Sequence, residues 1–170
     1  LVGWHEDLVQ QFVSRGFRVI RFDNRDIGLS QGFDAHGVPN IQVAALKQMV
    51  GLPLRPPYTL ADMADDAAGV LAALGIAAAH VCGASMGGMI VQTVAIRHPA
   101  RVRSLVSIMS TTGNPALPPA RPEILALLMS PPPVGREAAI DASVEMWRKI
   151  GSPGFPFDEA LIRARSALLY

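Results

Sequence analysis

Cysteine is almost absent. Cys82 is the only one among 170 residues, so no internal disulfide forms and a cysteine-built metal site is not expected. Charge of either sign is also scarce: 15 basic and 14 acidic residues leave a net charge of +1. The basic residues are scattered and form no stripe, which argues against a nucleic-acid-binding surface. No basic segment precedes an apolar stretch at the start of the sequence, so no secretory signal is read there and a reducing, cytoplasmic setting is expected. The first residue is Leu1 and not Met, which points to a fragment of a longer chain.

A third absence is local. From Ala67 to Ile96 there is no Asp, Glu, Lys or Arg, and Gly83 and Gly87 make a G-x-x-x-G spacing that a membrane-spanning helix would also show. The run is broken by Gly75, Gly83, Gly87 and Gly88, and it carries His80, Ser85, Gln92 and Thr93. A parallel strand buried on both faces, followed by a buried helix, gives the same composition. That second reading is preferred, and no membrane partner is expected.

What is present fits one domain with a sizeable core, half of the residues being hydrophobic. Trp4, Leu8 and Phe12 fall on one helical face, and Gly16 can end that helix. Phe17 to Phe22 (FRVIRF) is rich in strand formers and runs into the turn cluster Asp23 to Gly28. Residues 31–58 read as an irregular surface excursion. Thr59 with Asp62 makes a capping-box start, after which Leu60, Met63, Ala67, Val70, Leu71 and Leu74 line one face until Gly75. Ala79 to Gly83 reads as a strand, Met86 to His98 as a helix stopped by Pro99, and Ser104 to Met109 as a further strand. Strands alternating with helices specify a parallel sheet, hence an α/β class. After residue 113 the chain becomes proline-rich, then helical near Arg136–Ile150 and Phe157–Tyr170. The expected division is a core over 1–113 and a helical cap over 114–170.

The chemistry centres on Gly83-Ala84-Ser85-Met86-Gly87. A serine on a sharp turn between an apolar strand and an apolar helix is held in a strained backbone conformation, so its hydroxyl projects beyond the sheet edge. Small residues two before and two after it, here Gly83 and Gly87, let strand and helix pass closely. The free N–H groups of the helix N-terminus then stabilise developing negative charge, which makes the N–H of Met86 the expected oxyanion donor. A phosphate-binding loop would need a Lys-Ser/Thr pair after the glycines, and Met89-Ile90 stand there instead. A plain tight turn is the competing structural reading.

Phe17 to Ser30 (FRVIRFDNRDIGLS), Val81 to Gln92 (VCGASMGGMIVQ) and Pro99 to Met109 (PARVRSLVSIM) together resemble the α/β-hydrolase superfamily, and Met146 to Asp158 (MWRKIGSPGFPFD) is similar to the cap of its aclacinomycin methylesterase and carboxylesterase branch. The resemblance implies an α/β-hydrolase core with a helical cap, incomplete at both ends. It implies Ser85 as nucleophile, a backbone oxyanion donor at Met86, no cofactor and no metal, and a small-molecule carboxylic ester, a methyl ester among the candidates, as substrate. The second oxyanion donor would lie upstream of Leu1, and the family's acid and base, an Asp and a His, would follow the cap. A strand upstream of Leu1 would also stand between the Phe17 and Ala79 strands, and its absence would leave both edges unpaired. Asp23, Arg25, Asp26 and Gly28 match a family loop with a structural role. A serine at the elbow, where haloalkane dehalogenases and epoxide hydrolases have a carboxylate, disfavours those branches. An enol-lactonase or related serine-elbow enzyme, or a catalytically inactive binding module on the same fold, are the alternatives.

None of the histidines present is expected to act as the base. His80 lies five residues from Ser85 along a strand, roughly 16 Å away, and His98 is roughly 20 Å down the helix; proton abstraction needs about 3 Å. His5 and His36 lie near loops and read as surface histidines. Cys82 reads as an inert thiol in a buried strand.

Overall fold

The computed structural model describes residues 3–37, 40, 43, 44, 46, 47, 50–131 and 133–169. Part of the 31–58 excursion, and Tyr170 at the end of the helix expected over Phe157–Tyr170, therefore lie outside the described residues. By its internal packing the chain divides into two compact units, one of residues 23–117 and one of residues 1–22 with 118–170.

In the 23–117 unit, α2 (Leu60–Ala73) begins with the capping box read from the sequence: the Thr59 hydroxyl accepts from the Asp62 N–H, and the Asp62 carboxylate accepts from the Thr59 N–H at 2.7 Å. Gly75, at φ +67°, turns the chain out of the helix. β1 (Ala79–Ala84) follows, then α3 (Met86–Arg97), then β2 (Val102–Ile108). The two strands pair in parallel, from Ala79 with Val102 to Ala84 with Ile108, with one irregularity after Ala79. α3 packs on the sheet and α2 packs on α3. Met63, Ala64, Ile90 and Val94 form the core between the helices, with Tyr58, Ala67 and Val102 against it. Ala64 and Ala68 are buried while Leu60 and Leu74 are exposed, so the packed face of α2 is rotated from the one expected. Small residues let the helix axes approach more closely than leucines would.

Two expectations are corrected. Residues 17–22 are not in a strand, and the sheet among the described residues has two strands, not three. Strand propensity is not sufficient, because a strand exists only through a ladder of hydrogen bonds to a neighbouring strand, and no such ladder is assigned to this run among the described residues. The strands are also not buried on both faces: β2 is largely exposed, Val106 at 49%, and β1 is exposed at His80 and Cys82. Within the unit, α3 shields the face that carries Gly83 and Ser107, while the register puts Cys82 and Val106 on the other.

In the other unit, α1 (Glu6–Val13) is capped by His5, whose ring nitrogen accepts from the Asp7 N–H, and ended by Gly16 at φ +85°. Phe12 and Phe17 meet edge to face across that turn, 6.0 Å apart. α4 (Pro122–Leu128), α5 (Arg136–Ile150) and α6 (Glu159–Leu169) follow. Ile140 and Val144 are buried where α5 meets α6, and the Ser166 hydroxyl bonds that of Ser143. Arg163 bridges Glu159 and Asp141, and Arg148 reaches Glu159 while lying 4.7 Å from the Phe157 ring centroid. No described helix is long and apolar enough to cross a membrane; the charge-free run is divided among α2, β1 and α3.

Candidate active site

Ser85 stands alone between β1 and α3. Its backbone is left-handed, φ 54° and ψ −122°, a conformation that a non-glycine residue adopts only under constraint. The constraint is visible on both sides. The Ser85 N–H donates to the Ile108 carbonyl at 2.9 Å, continuing the β1–β2 ladder by one bond, while the Ser85 carbonyl already accepts from Gly88 and Met89 in the first turn of α3. The residue is thus the last of the strand through its N–H and the cap of the helix through its C=O. Its side chain makes no capping hydrogen bond and is exposed.

That geometry leaves two donors. The first N–H groups of a helix have no intrahelical acceptor, and those of Met86 and Gly87 have no backbone partner among the described residues. They sit at the positive end of α3, next to the Ser85 hydroxyl in sequence.

The close approach expected of both motif glycines belongs to a different pair. A Cβ on Gly83 would lie 2.0 Å from the Gly87 carbonyl oxygen, so strand and helix pass with no room for a side chain there. A Cβ on Gly87 would meet open space; it is the backbone of Gly87 that Gly83 approaches. Gly88 carries the second constraint, since its Cβ would lie 2.5 Å from the Ser110 Cβ and 2.8 Å from the Ser107 Oγ. Ser107 in turn accepts from Gln92 on α3 at 2.8 Å.

The histidines are occupied elsewhere. The His80 ring nitrogen Nδ1 is 2.7 Å from the Ser104 hydroxyl across the strand pair. His98, the C-cap of α3, places Nε2 2.7 Å from the Asp65 carboxylate, which also takes both arms of Arg97. This His–Asp pair is a triad fragment only in composition: the full length of α3, about 18 Å, separates it from Ser85. Those partners hold the Asp65 carboxyl at about 2, Arg97 contributing most and His98 next. His36 closes a short 3-10 turn at Asp34–His36 beside the Phe33 ring, and His5 caps α1.

Cys82 is exposed and not in a buried core as expected, because the sheet face that carries it has no cover within its unit. Partial desolvation still pushes its thiol up, with no cation acting in the opposite direction. The 23–28 loop is built as a support. Arg25 grips Asp66 of α2 at 2.6 and 2.7 Å and lies 5.6 and 5.5 Å from the Phe33 and Tyr58 ring centroids. Gly28, at φ +59°, has the Asp23 carboxylate where a Cβ would be. Among the described residues no group of His, Cys, Asp and Glu could hold a metal ion.

The family model for the α/β-hydrolase fold matches residues 1–142. The chain belongs to that family. Among curated relatives, the rhodomycin D methylesterase DauP of Streptomyces sp. (strain C5) is 30% identical and aligns with 98% of this chain and 56% of its own length. DnrP of Streptomyces peucetius, also a rhodomycin D methylesterase, is 28% identical with the same coverage. A crystal structure of a hydrolase from Pseudomonas aeruginosa PA01 superposes with a TM-score of 0.50 at 22% identity, over 96% of this chain and 57% of that one, a likeness of fold. The chain therefore spans a little over half the length of these proteins. Gly88 and Ser110, which pack against each other at the elbow, carry no sequence signal of their own; only the position of Gly88 beside the motif hints at its use.

Proposed function

We propose that this chain supplies the nucleophile of a serine hydrolase acting on carboxylic esters, with a methyl ester among its substrates. The observation that carries this reading is the exposed Ser85 on a left-handed strand-to-helix bend, beside helix N–H groups that have no acceptor among the described residues. Ser85 Oγ attacks the ester carbonyl, and the Met86 N–H holds the resulting oxyanion. Collapse expels the alcohol and leaves an acyl-serine, which water then hydrolyses. A general base must take the serine proton, pass it to the departing alcohol oxygen, and then take a proton from that water. In this reading the base is a His, oriented by an Asp, and both lie outside these 170 residues, as does the second oxyanion donor. The engagement of His98 and His80 with Asp65 and Ser104 supports that assignment. Residues 1–113 would belong to the hydrolase core and 114–170 to its helical cap. The methylesterase relatives support an ester substrate.

Covalent trapping tests the assignment. The longer protein that contains this chain, treated with a fluorophosphonate, is expected to carry one adduct, on the peptide that holds Ser85. The Ser85→Ala variant is expected to carry none. An unlabelled wild-type protein, or an adduct that survives the substitution, would overturn the reading.

A further inference from the structure

The residue facing Ser85 across the strand ends is as constrained as Ser85 itself. The last registered pair of the sheet is Ala84 with Ile108. The next residue on each strand, Ser85 and Met109, has a left-handed backbone, with φ 54° and φ 42°. The bond from the Ser85 N–H to the Ile108 carbonyl ties the two bends together. Asp26, the other described non-glycine residue of this kind, is held there by its own polar groups: its carboxylate accepts from the Phe33 N–H and the Tyr58 hydroxyl, and its N–H donates to the Gln31 carbonyl. Met109 has no polar side chain to do the same, and its side chain is not buried in compensation, being 63% exposed.

The residue after it shows the opposite fault. The Ser110 hydroxyl oxygen is buried with no hydrogen-bond partner among the described residues, packed where Gly88 has no Cβ. Hydration and packing alone would turn the serine out and the methionine in. Here the polar group is orphaned inside and the large apolar group is displayed, at the carboxyl end of the sheet and next to the elbow. An inverted pair held by a strained backbone is a sign of selection for something other than stability.

We propose that Met109 is a specificity-determining residue that contacts the apolar part of an ester whose carbonyl lies at Ser85. An unbranched, polarisable thioether side chain adapts to an extended apolar group and offers a small substrate little. The proposal rests on the reading of Ser85 as nucleophile. Apolar mass on the acyl side or on the alcohol side has the same chemistry, so the test has two arms.

The longer protein is assayed on p-nitrophenyl acetate against p-nitrophenyl octanoate, and on methyl acetate against benzyl acetate. Met109→Gln keeps the length of the side chain and makes it polar. Met109→Gly removes it and relieves the left-handed strain, so it folds even if the first variant does not, as a thermal melt checks. The expected result is a fall of at least fivefold in the large-to-small ratio of kcat/KM, carried by KM, in one series. That series identifies the acyl or the alcohol side. A fall of less than fivefold in both series overturns the proposal. Failure of the underlying reading shows separately, as hydrolysis that survives Ser85→Ala.

Discussion

At the scale of single residues, the elbow depends on where a side chain cannot be. Gly83 faces the backbone of Gly87 so closely that even a methyl group forces strand and helix apart, whereas Gly87 faces open space. Gly83→Ala is expected to destabilise the protein by about 1 to 3 kcal/mol, the usual cost of overpacking. Gly87→Ala is expected to be neutral or stabilising by up to about 1 kcal/mol, because alanine favours the helix. Thermal or denaturant melts of the two variants check this; equal destabilisation would mean that the motif glycines act alike after all. The Gly-x-Ser-x-Gly spacing was legible in the sequence because the bend is a local event, fixed within a few residues of Ser85. The packing of Gly88 against Ser110 was not, because it follows from how the end of β2 passes the first turn of α3, some twenty residues away in the chain.

At the scale of elements, the helices follow their local signals. Thr59, Asp62 and Gly75 set both ends of α2, and Pro99 stops α3 where a missing N–H must. The run at residues 17–22 did not form the expected strand, because its state depends on a neighbour that no property of those six residues supplies. The rotated face of α2 has a similar cause: alanine carries little hydrophobic signal in a sequence, yet Ala64 is the most buried residue of the core. The same helix is tied to the C-terminus of α3 through Asp65, whose carboxyl is held at about 2 against an ordinary 3.8 by Arg97 and then His98. A carboxyl depressed on folding contributes stability above its unfolded value, and that contribution is lost as pH falls toward the folded one. Stability should therefore decline between about pH 4 and about pH 2, and Asp65→Asn should flatten that part of the curve. Melting temperatures across the acid range read this directly; an unchanged slope in the variant would remove the α2–α3 clamp from the account.

At the scale of the whole molecule, family membership is one matter and catalytic competence another. The chain carries the α/β-hydrolase signature over residues 1–142, yet it spans a little over half the length of DauP and DnrP. Among the described residues β1 pairs with β2 alone, and Ser85 has no imidazole partner. The proposed chemistry therefore asks for groups from outside this stretch, and ester hydrolysis is expected only when they are present. One assay compares p-nitrophenyl acetate hydrolysis by the longer protein, by its Ser85→Ala variant and by the 170-residue chain alone. The Ser85 assignment predicts turnover by the longer protein that falls at least a thousandfold on Ser85→Ala, as loss of an activated nucleophile does, and no turnover by the isolated chain above that of its own Ser85→Ala variant. Hydrolysis by the longer protein that is indifferent to Ser85, or robust Ser85-dependent turnover by the isolated chain, would contradict it.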